Sequence, residues 1–158
     1  MEIKHKLTNT ERQLIYRLRY EVYVKELGYR QQHACHDKKL LPDIFDRSGD
    51  PFAAFKDGIA IGTCLSNYTI NNDLGYYPSL YKMKALALDY EKCSSISTKL
   101  IVHKDYRKSP VAFKLALATY IKGLKDGIKY NFVDCEPGMI GFFRKLGYVV
   151  HLPEVSHP

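Results

Sequence analysis

Apolar residues recur with a helical period in three stretches of the chain. In the first, Leu14, Leu18 and Val22 are spaced by four residues, which predicts the buried stripe of an amphipathic helix. Thr8 and Glu11 have the spacing of a capping box before it, and the helix is expected to end at Gly28. A second face of this helix mixes charge with aromatic rings and is either part of a site or solvated: Arg12, Tyr16, Arg19, Tyr23 and Glu26.

The second helical stretch follows Ser109, which we predict as an N-cap with Pro110 at the first helical position. Its buried stripe is predicted from residues at helical spacing, with Lys122 away from it: Val111, Leu115, Ala118, Ile121 and Leu124. A short third helix is predicted from Met139 to Leu146, with Gly147 as its C-cap.

Strand-like patterns occupy much of the remaining chain. In Ser95–Val102, alternation places Ile96 with Leu100 and Val102 on one face, and Ser97 with Lys99 on the other. Residues 71–93 are predicted to be a mobile or partly helical insertion. Two further strands, Phe52–Lys56 and Ile59–Asn67, are predicted on either side of the hairpin signal Asp57-Gly58. The remaining predicted strands are Ile3–Leu7, Tyr130–Cys135 and Tyr148–Leu152. The pattern predicts an α/β (α+β) protein with a central sheet.

Composition agrees with one globular domain over residues 1–158, because 46% of residues are hydrophobic without a long apolar run. The first seven residues carry mixed charge and no apolar core of a signal peptide, so a cytoplasmic location is expected. The four cysteines are accordingly predicted to be reduced thiols: Cys35, Cys64, Cys93 and Cys135.

A formal net charge of +7 favours an acidic partner: a nucleic acid, peripheral contact with an anionic membrane, an acidic protein or a phosphorylated small molecule. The basic residues are spread along the chain without a nucleic-acid-binding motif, so no nucleic acid is expected. His33, Cys35, His36 and Asp37 do not have the spacing of a zinc site, and no metal is expected.

One unit of the sequence suggests phosphate binding. The strand ending at Val102 leads through Arg107 and Lys108 into the N-terminus of the second helix. Free backbone N–H groups and the helix dipole favour an anion at such a position, and the two cations can add charge-assisted hydrogen bonds. We therefore expect this loop to hold the phosphate of a carrier molecule.

These residues, in this order, resemble the C-terminal half of the GNAT superfamily of N-acetyltransferases. The resemblance rests on Tyr106-Arg107-Lys108 before a helix and on Phe142-Phe143-Arg144-Lys145-Leu146-Gly147-Tyr148. It implies the GNAT fold, with a central mixed, mostly antiparallel sheet flanked by helices.

The N-terminal half is similar to one branch, the acyl-homoserine-lactone synthases and long-chain N-acyl amino acid synthases. Arg19-Tyr20-Glu21-Val22-Tyr23 followed by Leu27-Gly28-Tyr29 is similar to that branch's Arg-x-x-Val-aromatic and Leu-Gly-aromatic pattern. Asp43-Ile44-Phe45-Asp46 is similar to its paired aspartates, and Gly62-Thr63-Cys64-Leu65 stands where its Gly-x-Arg-Leu does.

The chain departs from the branch at functional positions. Cys64 replaces an arginine, and Ile96-Ser97-Thr98-Lys99 replaces Glu-x-Ser-Arg, so homoserine-lactone synthesis is not expected. Phe143 stands where the superfamily has its general-acid tyrosine, and it has no proton to donate. In the phosphate loop the usual glycines are missing, and Pro110 supplies no N–H.

The resemblance and the chemistry of the side chains together give the candidate site residues. Asp43 and Asp46 either hold an acceptor ammonium or form a turn, and Arg19 either anchors an acceptor carboxylate or braces an acidic neighbour. The candidates for catalysis are Glu136, Asp46 and Ser97. Those for donor binding are Arg107, Lys108, Lys99, Ile101 and Val102, and those for the acceptor are Arg19, Tyr23, Asp43 and Asp46.

The resulting expectation is an N-acyltransferase without a tightly bound cofactor. It would move an acyl group, long-chain by the resemblance, from the phosphopantetheine thioester of an acidic acyl carrier protein to the amine of an amino acid. A loop with fewer backbone donors suits one phosphate better than a pyrophosphate, which favours the carrier protein over acyl-CoA. Two alternatives are an acetyl-CoA-dependent N-acetyltransferase of a small amine or protein, and a GNAT-shaped binding module without catalysis.

Overall fold

Five strands form one sheet in chain order: β1 (Glu2–Lys4), β2 (Asp50–Lys56), β3 (Ile59–Tyr68), β4 (Ser94–Val102) and β5 (Tyr130–Phe132). This computed structural model describes the backbone of residues 1–158 and the side chains of all of them but Asn71. Strands β1 to β4 pair antiparallel, while β5 runs parallel to β4. The mixed, mostly antiparallel sheet expected from the sequence is therefore confirmed. Asp57 and Gly58 form the β2–β3 hairpin turn with φ of 52° and 77°, as a type I′ turn requires.

Two long helices cover the sheet, one on each face. Helix α1 (Asn9–Arg19) begins with the predicted capping box and continues as a π-helical segment, Tyr20–Glu26, that ends before Gly28. Helix α5 (Val111–Lys125) lies on the opposite face. The shorter helices are α2 (Tyr77–Leu80), α3 (Met83–Leu86), α4 (Tyr90–Cys93) and α6 (Ile140–Lys145), with 3₁₀ turns at Ile44–Arg47, Thr69–Asn71, Lys104–Tyr106 and Pro137–Met139. The predicted insertion, residues 71–93, is thus partly helical.

The apolar core has one cluster on each face of the sheet and a third beside β5. On the α1 face, Ile15 and Leu18 pack against alternate residues of β2 and β3 and against Ile101. On the α5 face, Val111 and Leu115 pack against Phe52 and its neighbours. In the third cluster, Ile96 and Phe132 meet the aromatic side chains of the insertion: Tyr77 and Tyr81. None of the helices, over the residues that the structure describes, is long and apolar enough to cross a membrane.

The start and the outer face of α5 differ from the prediction. Pro110, not Ser109, is the N-cap residue. The Ser109 hydroxyl instead donates a hydrogen bond to the Tyr106 carbonyl oxygen, with an oxygen–oxygen distance of 2.5 Å. Ile121 and Leu124 are exposed, because the sheet covers only the first turns of the predicted stripe. Lys122 is not turned away from the protein: it is half-buried, with Nζ 3.1 Å from Asp50 and 2.5 Å from Asp126.

A β-bulge in β4 reverses the predicted alternation of that strand. Thr98 pairs with Leu65 and Ile101 with Thr63, so Lys99 and Leu100 together stand opposite one residue of β3. Lys99 adopts φ of 56°, the left-handed conformation that marks a bulge and is unusual for a side chain other than glycine. As a result Ile96 lies on the same face as Ile101, and the predicted grouping of Ile96 with Leu100 and Val102 is wrong.

The termini of the sheet are shorter than predicted. The first strand is Glu2–Lys4 rather than Ile3–Leu7. Tyr148–Leu152 does not form a strand: Val149 is 85% exposed, the neighbouring β5 offers only three residues, and Pro153 follows with no N–H to donate. The polar segment after Phe132 likewise leaves the sheet, so Cys135 is exposed rather than a small buried residue.

Replacing Gly62 by alanine should destabilise the protein by about 1–3 kcal/mol, because the site is already filled. The new Cβ would lie 2.6 Å from Val111 Cγ1, 3.0 Å from Leu115 Cδ1 and 3.2 Å from the Ile101 carbonyl oxygen. Chemical denaturation measures the loss. Gly141→Ala in α6 is the matched control, since nothing lies within 4 Å of its added methyl. Equal stability of the two variants would contradict tight packing of α5 on β3.

The capping box should make stability depend on pH in the acid range. Hydrogen bonds from Lys4 Nζ and the Thr8 N–H, both 2.8 Å, lower the pKa of Glu11 to about 2. A depressed carboxyl pKa stabilises the fold above the unfolded value of 4.5 and loses that contribution as pH falls towards 2. Glu11→Gln keeps a capping side chain but does not titrate. The melting temperatures of wild type and variant should converge towards pH 2; a constant difference would contradict the assignment.

Candidate active site

Strand β5 is short and leaves one edge of β4 unpaired, and the space beside that edge is here called the cleft. The two strands pair only at Ser94, Ser95 and Ile96, opposite Tyr130, Asn131 and Phe132. In the part of the chain that the structure describes, no strand pairs with the β5 side of β4 from Ser97 to Val102. The backbone edge beyond Ile96 is therefore open to an extended ligand up to the Val102 carbonyl, which accepts from Arg107 Nε. Two of the residues predicted for donor binding, Ile101 and Val102, lie on this edge.

A polar cluster lies where the strands part, on the α5 face. Asn131 Nδ2 donates to Ser95 Oγ at 2.8 Å and to Ser97 Oγ at 2.9 Å. The Tyr148 hydroxyl donates to Asn131 Oδ1 from the loop after α6. Burial raises the pKa of Tyr148 to about 12, so the hydroxyl stays protonated and can donate. Ser97 was predicted for this site; Asn131 and Tyr148 were not.

A buried ion pair supports the other face of the cleft. Arg19 Nη1 lies 2.7 Å from Asp46 Oδ2, and the two side chains are 0% and 4% exposed. Asp46 Oδ2 also accepts the Asp43 N–H at 2.6 Å, which closes a second capping box. Of the two roles left open for Arg19, the structure shows the brace for Asp46. Neither side chain is exposed to a ligand in this arrangement.

Lys99 projects into this α1 side of the cleft because of the bulge. Its Nζ lies 3.1 Å from Asp43 Oδ2 and 5.6 Å from the centre of the Tyr23 ring. Burial raises the pKa of Tyr23, and the nearby positive charge of Arg19 opposes that shift. Tyr23, Asp43 and Lys99 were predicted for substrate or donor binding and do come together. The prediction that Ser97 and Lys99 share a face is wrong, since the bulge places them on opposite sides of β4.

In the loop that was predicted to hold a phosphate, one of the two cations is already engaged. Arg107 donates bidentately to Glu26 at 2.5 and 2.6 Å, and its Nε donates 3.2 Å to the Val102 carbonyl. This pair lowers the pKa of Glu26. Lys108 is exposed beside it, and α5 begins without a side-chain cap. A phosphate here would meet Lys108 and the free N–H groups of α5, and would compete with Glu26 for Arg107.

The two carboxylates that follow β5 differ in their surroundings, and the role predicted for Glu136 stays a prediction. Glu136 is exposed and forms no hydrogen bond or ion pair with the described residues of either cluster. Asp134 is half-buried and pairs with His157. Burial and the Tyr76 hydroxyl raise the pKa of Tyr77, and the negative charges of Asp134 and Asp43 raise it further. Asp134 became a candidate only through its neighbours in the folded chain. Its position in the sequence does not distinguish it from Glu136.

No metal-binding group exists among the residues described, counting clusters of three or more histidine, cysteine, aspartate or glutamate side chains. Among the residues considered for a zinc site, His36 contacts another side chain: its Nδ1 lies 3.0 Å from the Tyr20 hydroxyl. Cys64, where the related branch has arginine, is buried, and burial raises its pKa to about 12. It therefore stays a neutral thiol at physiological pH.

Several solved structures share this architecture. One is BjaI, a CoA-dependent acyl-homoserine lactone synthase solved with SAM and isopentyl-CoA, with a TM-score of 0.68 and 17% identity over 87% of this chain and 64% of that one. Another is the complex of TofI with an inhibitor and MTA, with a TM-score of 0.68 and 14% identity over 92% of this chain and 77% of that one. An aminoglycoside acetyltransferase from an uncultured soil metagenomic sample matches with a TM-score of 0.63 and 18% identity over 100% and 99% of the two chains.

The chain has the GNAT fold, as the resemblance implied. It spans 64% of the length of the lactone synthase BjaI. No protein-family model matches the sequence, and no curated protein does. The likeness to the solved structures thus establishes the fold, and the activity is inferred from the site.

Proposed function

We propose that this protein is an N-acyltransferase that moves an acyl group from a phosphopantetheine thioester to an amine. The observation that carries the proposal is the cleft beyond Ile96, which has an unpaired strand edge, hydroxyl donors on one side and carboxylates on the other. Such a cleft can hold a thioester and an amine close together and surround the developing charges with fixed dipoles.

The reaction would proceed by direct attack of the amine on the thioester carbonyl. The amine nitrogen bonds to the carbonyl carbon, the carbon–sulfur bond breaks, and the proton lost from nitrogen balances the one gained by sulfur. Tyr148 and Ser97 are the donors nearest the opening of the strands, and Tyr148 can supply the proton that Phe143 lacks. Asp134 and Asp43 would orient the ammonium before it loses its proton. Asp46, buried against Arg19, would act by positioning Asp43.

For the donor, we propose an acyl carrier protein with a long acyl chain, and acyl-CoA is the competing candidate. The carrier is supported by the net charge of +7 and by the proline at the N-cap of α5, which removes a backbone donor. Acyl-CoA is supported by the isopentyl-CoA bound to BjaI. For the acceptor, the proposed amino acid would use Lys99 for its carboxylate, because Arg19 is fully buried with Asp46 whereas Lys99, although paired with Asp43, is partly exposed.

Turnover of defined donors tests the proposal. Purified protein is mixed with acetyl-CoA, with long-chain acyl-CoA or with long-chain acyl carrier protein, plus a panel of amino acids and small amines. Mass spectrometry detects the N-acyl product, and a thiol reagent detects the released carrier. Faster turnover of the carrier-protein thioester supports our choice of donor. Turnover of acetyl-CoA alone supports the acetyltransferase, and turnover of none of them supports a binding module.

Variants of the ion pair beside α5 test the phosphate assignment. Arg107→Ala should weaken acyl-CoA binding about tenfold, while Glu26→Gln should strengthen it about threefold by releasing the guanidinium. Calorimetric titration measures both affinities, and Arg30→Ala, an exposed arginine in the loop after the π-helical segment, is the control. The KM of the acceptor should not change. Donor affinities that are equal in wild type, Arg107→Ala and Glu26→Gln would contradict a phosphate at this loop.

A further inference from the structure

The C-terminal tail places an imidazole into a small site of aromatic rings and one carboxylate. His157 Nε2 contacts Asp134 Oδ2, and Nδ1 lies 3.1 Å from the Tyr76 hydroxyl. The imidazole ring is edge-on to Tyr76 and Tyr77, with centroid distances of 5.8 and 5.9 Å. One tautomer satisfies every contact, because Nε2–H donates to the carboxylate and Nδ1 accepts from the phenol.

One wall of this site is anchored in the core. Tyr76 and Tyr77 stack on each other with centroids 4.7 Å apart. Tyr77 is 8% exposed and packs in the third core cluster with Ile96 and Phe132. Val155 packs against the same cluster and guides the tail to His157. Tyr77 thus ties the site to the core, whereas its occupant, His157, lies in the irregular segment after α6.

The chemistry of the walls selects a nitrogen cation. A carboxylate beside the faces and edges of two tyrosine rings combines charge pairing with cation–π attraction, which acts within about 6 Å of a ring centre. Of the two aspartates, Asp43 already pairs with Lys99 at 3.1 Å. Asp134 pairs with His157, whose side chain is 41% exposed and can be displaced.

We propose that Tyr76, Tyr77 and Asp134 form a binding site for a primary ammonium group, and that His157 occupies this site until an amine displaces it. The amine of the proposed reaction would bind here, so this identification of the acceptor subsite rests on the proposed function. The ammonium site itself does not depend on it, since it requires only the carboxylate and the two rings. The tail acts as a competitive occupant.

Binding without an acyl donor tests the site directly. The probe is phenethylamine, a cation at neutral pH, and 2-phenylethanol is its uncharged counterpart; nuclear magnetic resonance titration of the full chain gives both affinities. His157→Ala should bind phenethylamine about tenfold more tightly, which corresponds to a tail that occupies the site about nine-tenths of the time. His33→Ala, an exposed histidine in an earlier loop, should behave as wild type.

A second substitution distinguishes the contribution of the Asp134 carboxylate to amine binding from the effect of removing His157. His157→Ala with Asp134→Asn should lose at least the tenfold gain in phenethylamine affinity of the single variant, whereas adding Asp134→Asn to His157→Ala should leave the affinity for 2-phenylethanol unchanged. An unchanged affinity in His157→Ala, or an equal one with and without Asp134→Asn, would overturn the proposal. If the chain also transfers acyl groups, His157→Ala should lower the KM of the amine and leave kcat unchanged. Absence of turnover in every variant would count against the proposed function and leave the binding result intact.

Discussion

Arg19→Met should be among the most destabilising single substitutions in this protein, at about 3–5 kcal/mol. The change removes the partner of Asp46, whose side chain is 4% exposed, and leaves an uncompensated charge in the core. A domain of this kind has a free energy of unfolding of about 5–15 kcal/mol, so a large fraction of the stability is at stake. Urea-induced unfolding, monitored by circular dichroism, measures the difference.

Neutralising Asp46 shows whether its unpaired buried charge causes the loss of stability in Arg19→Met. Arg19→Met with Asp46→Asn should recover at least about half of the loss, since an amide avoids the charge penalty and still accepts the Asp43 N–H. Lys25→Met is the matched control: Lys25 pairs with Glu21 at 2.6 Å but on the surface, so it should cost no more than about 0.5 kcal/mol. A double variant no more stable than Arg19→Met would contradict this account.

Tyr148→Phe should lower kcat about 100-fold with an alkyl thioester donor, as is typical for the loss of a general acid. Its hydroxyl lies beside Asn131 at the opening of the strands, and a pKa near 12 keeps it protonated. The departing alkyl thiolate is a stronger base than an aryl thiolate and gains more from a proton donor. Steady-state kinetics with acyl-CoA measures the loss, and the KM values should change little.

An aryl thioester distinguishes proton donation from structural support. Thiophenolate is a weaker base and leaves without help, so the loss in Tyr148→Phe should fall below about threefold with an aryl thioester donor. Tyr120→Phe, at a tyrosine that is 61% exposed on α5, is the control and should match wild type with both donors. An equal loss of activity with both thioesters would mean that Tyr148 only supports the fold of the site.

Local rules explain why some elements were predicted correctly. The capping box of α1 depends on residues three apart, and the β2–β3 hairpin on the conformations of Asp57 and Gly58. The predicted strand Tyr148–Leu152 failed because a strand also needs a neighbouring edge, and the outermost strand here has three residues. The exposure of Ile121 and Leu124 has the same origin. Periodicity predicts which residues share the apolar face of α5, but the extent of the sheet decides how many of them are buried.

The candidate site shows this division most clearly. The sequence resemblance brought together Tyr23, Asp43 and Lys99, because each belongs to a motif that can be read locally. It gave no indication of Tyr148 or Asn131, which meet across seventeen residues through side-chain contacts alone. Glu136 was preferred to Asp134 for the same reason, since two carboxylates two residues apart differ only in what the folded chain places around them.

The amino-acid sequence by itself determined the two long helices, the hairpin and the position of the loop before α5, since periodicity, caps and turns act between near neighbours. The mixed sheet followed from the resemblance. Only the tertiary structure decided which side chains face one another. The bulge at Lys99 is the physical reason: one additional residue in β4, held at φ of 56°, turns Ser97 and Lys99 to opposite faces of the sheet. The register that creates the bulge depends on β3, about thirty-five residues earlier in the chain, where Thr63 and Leu65 set the pairing.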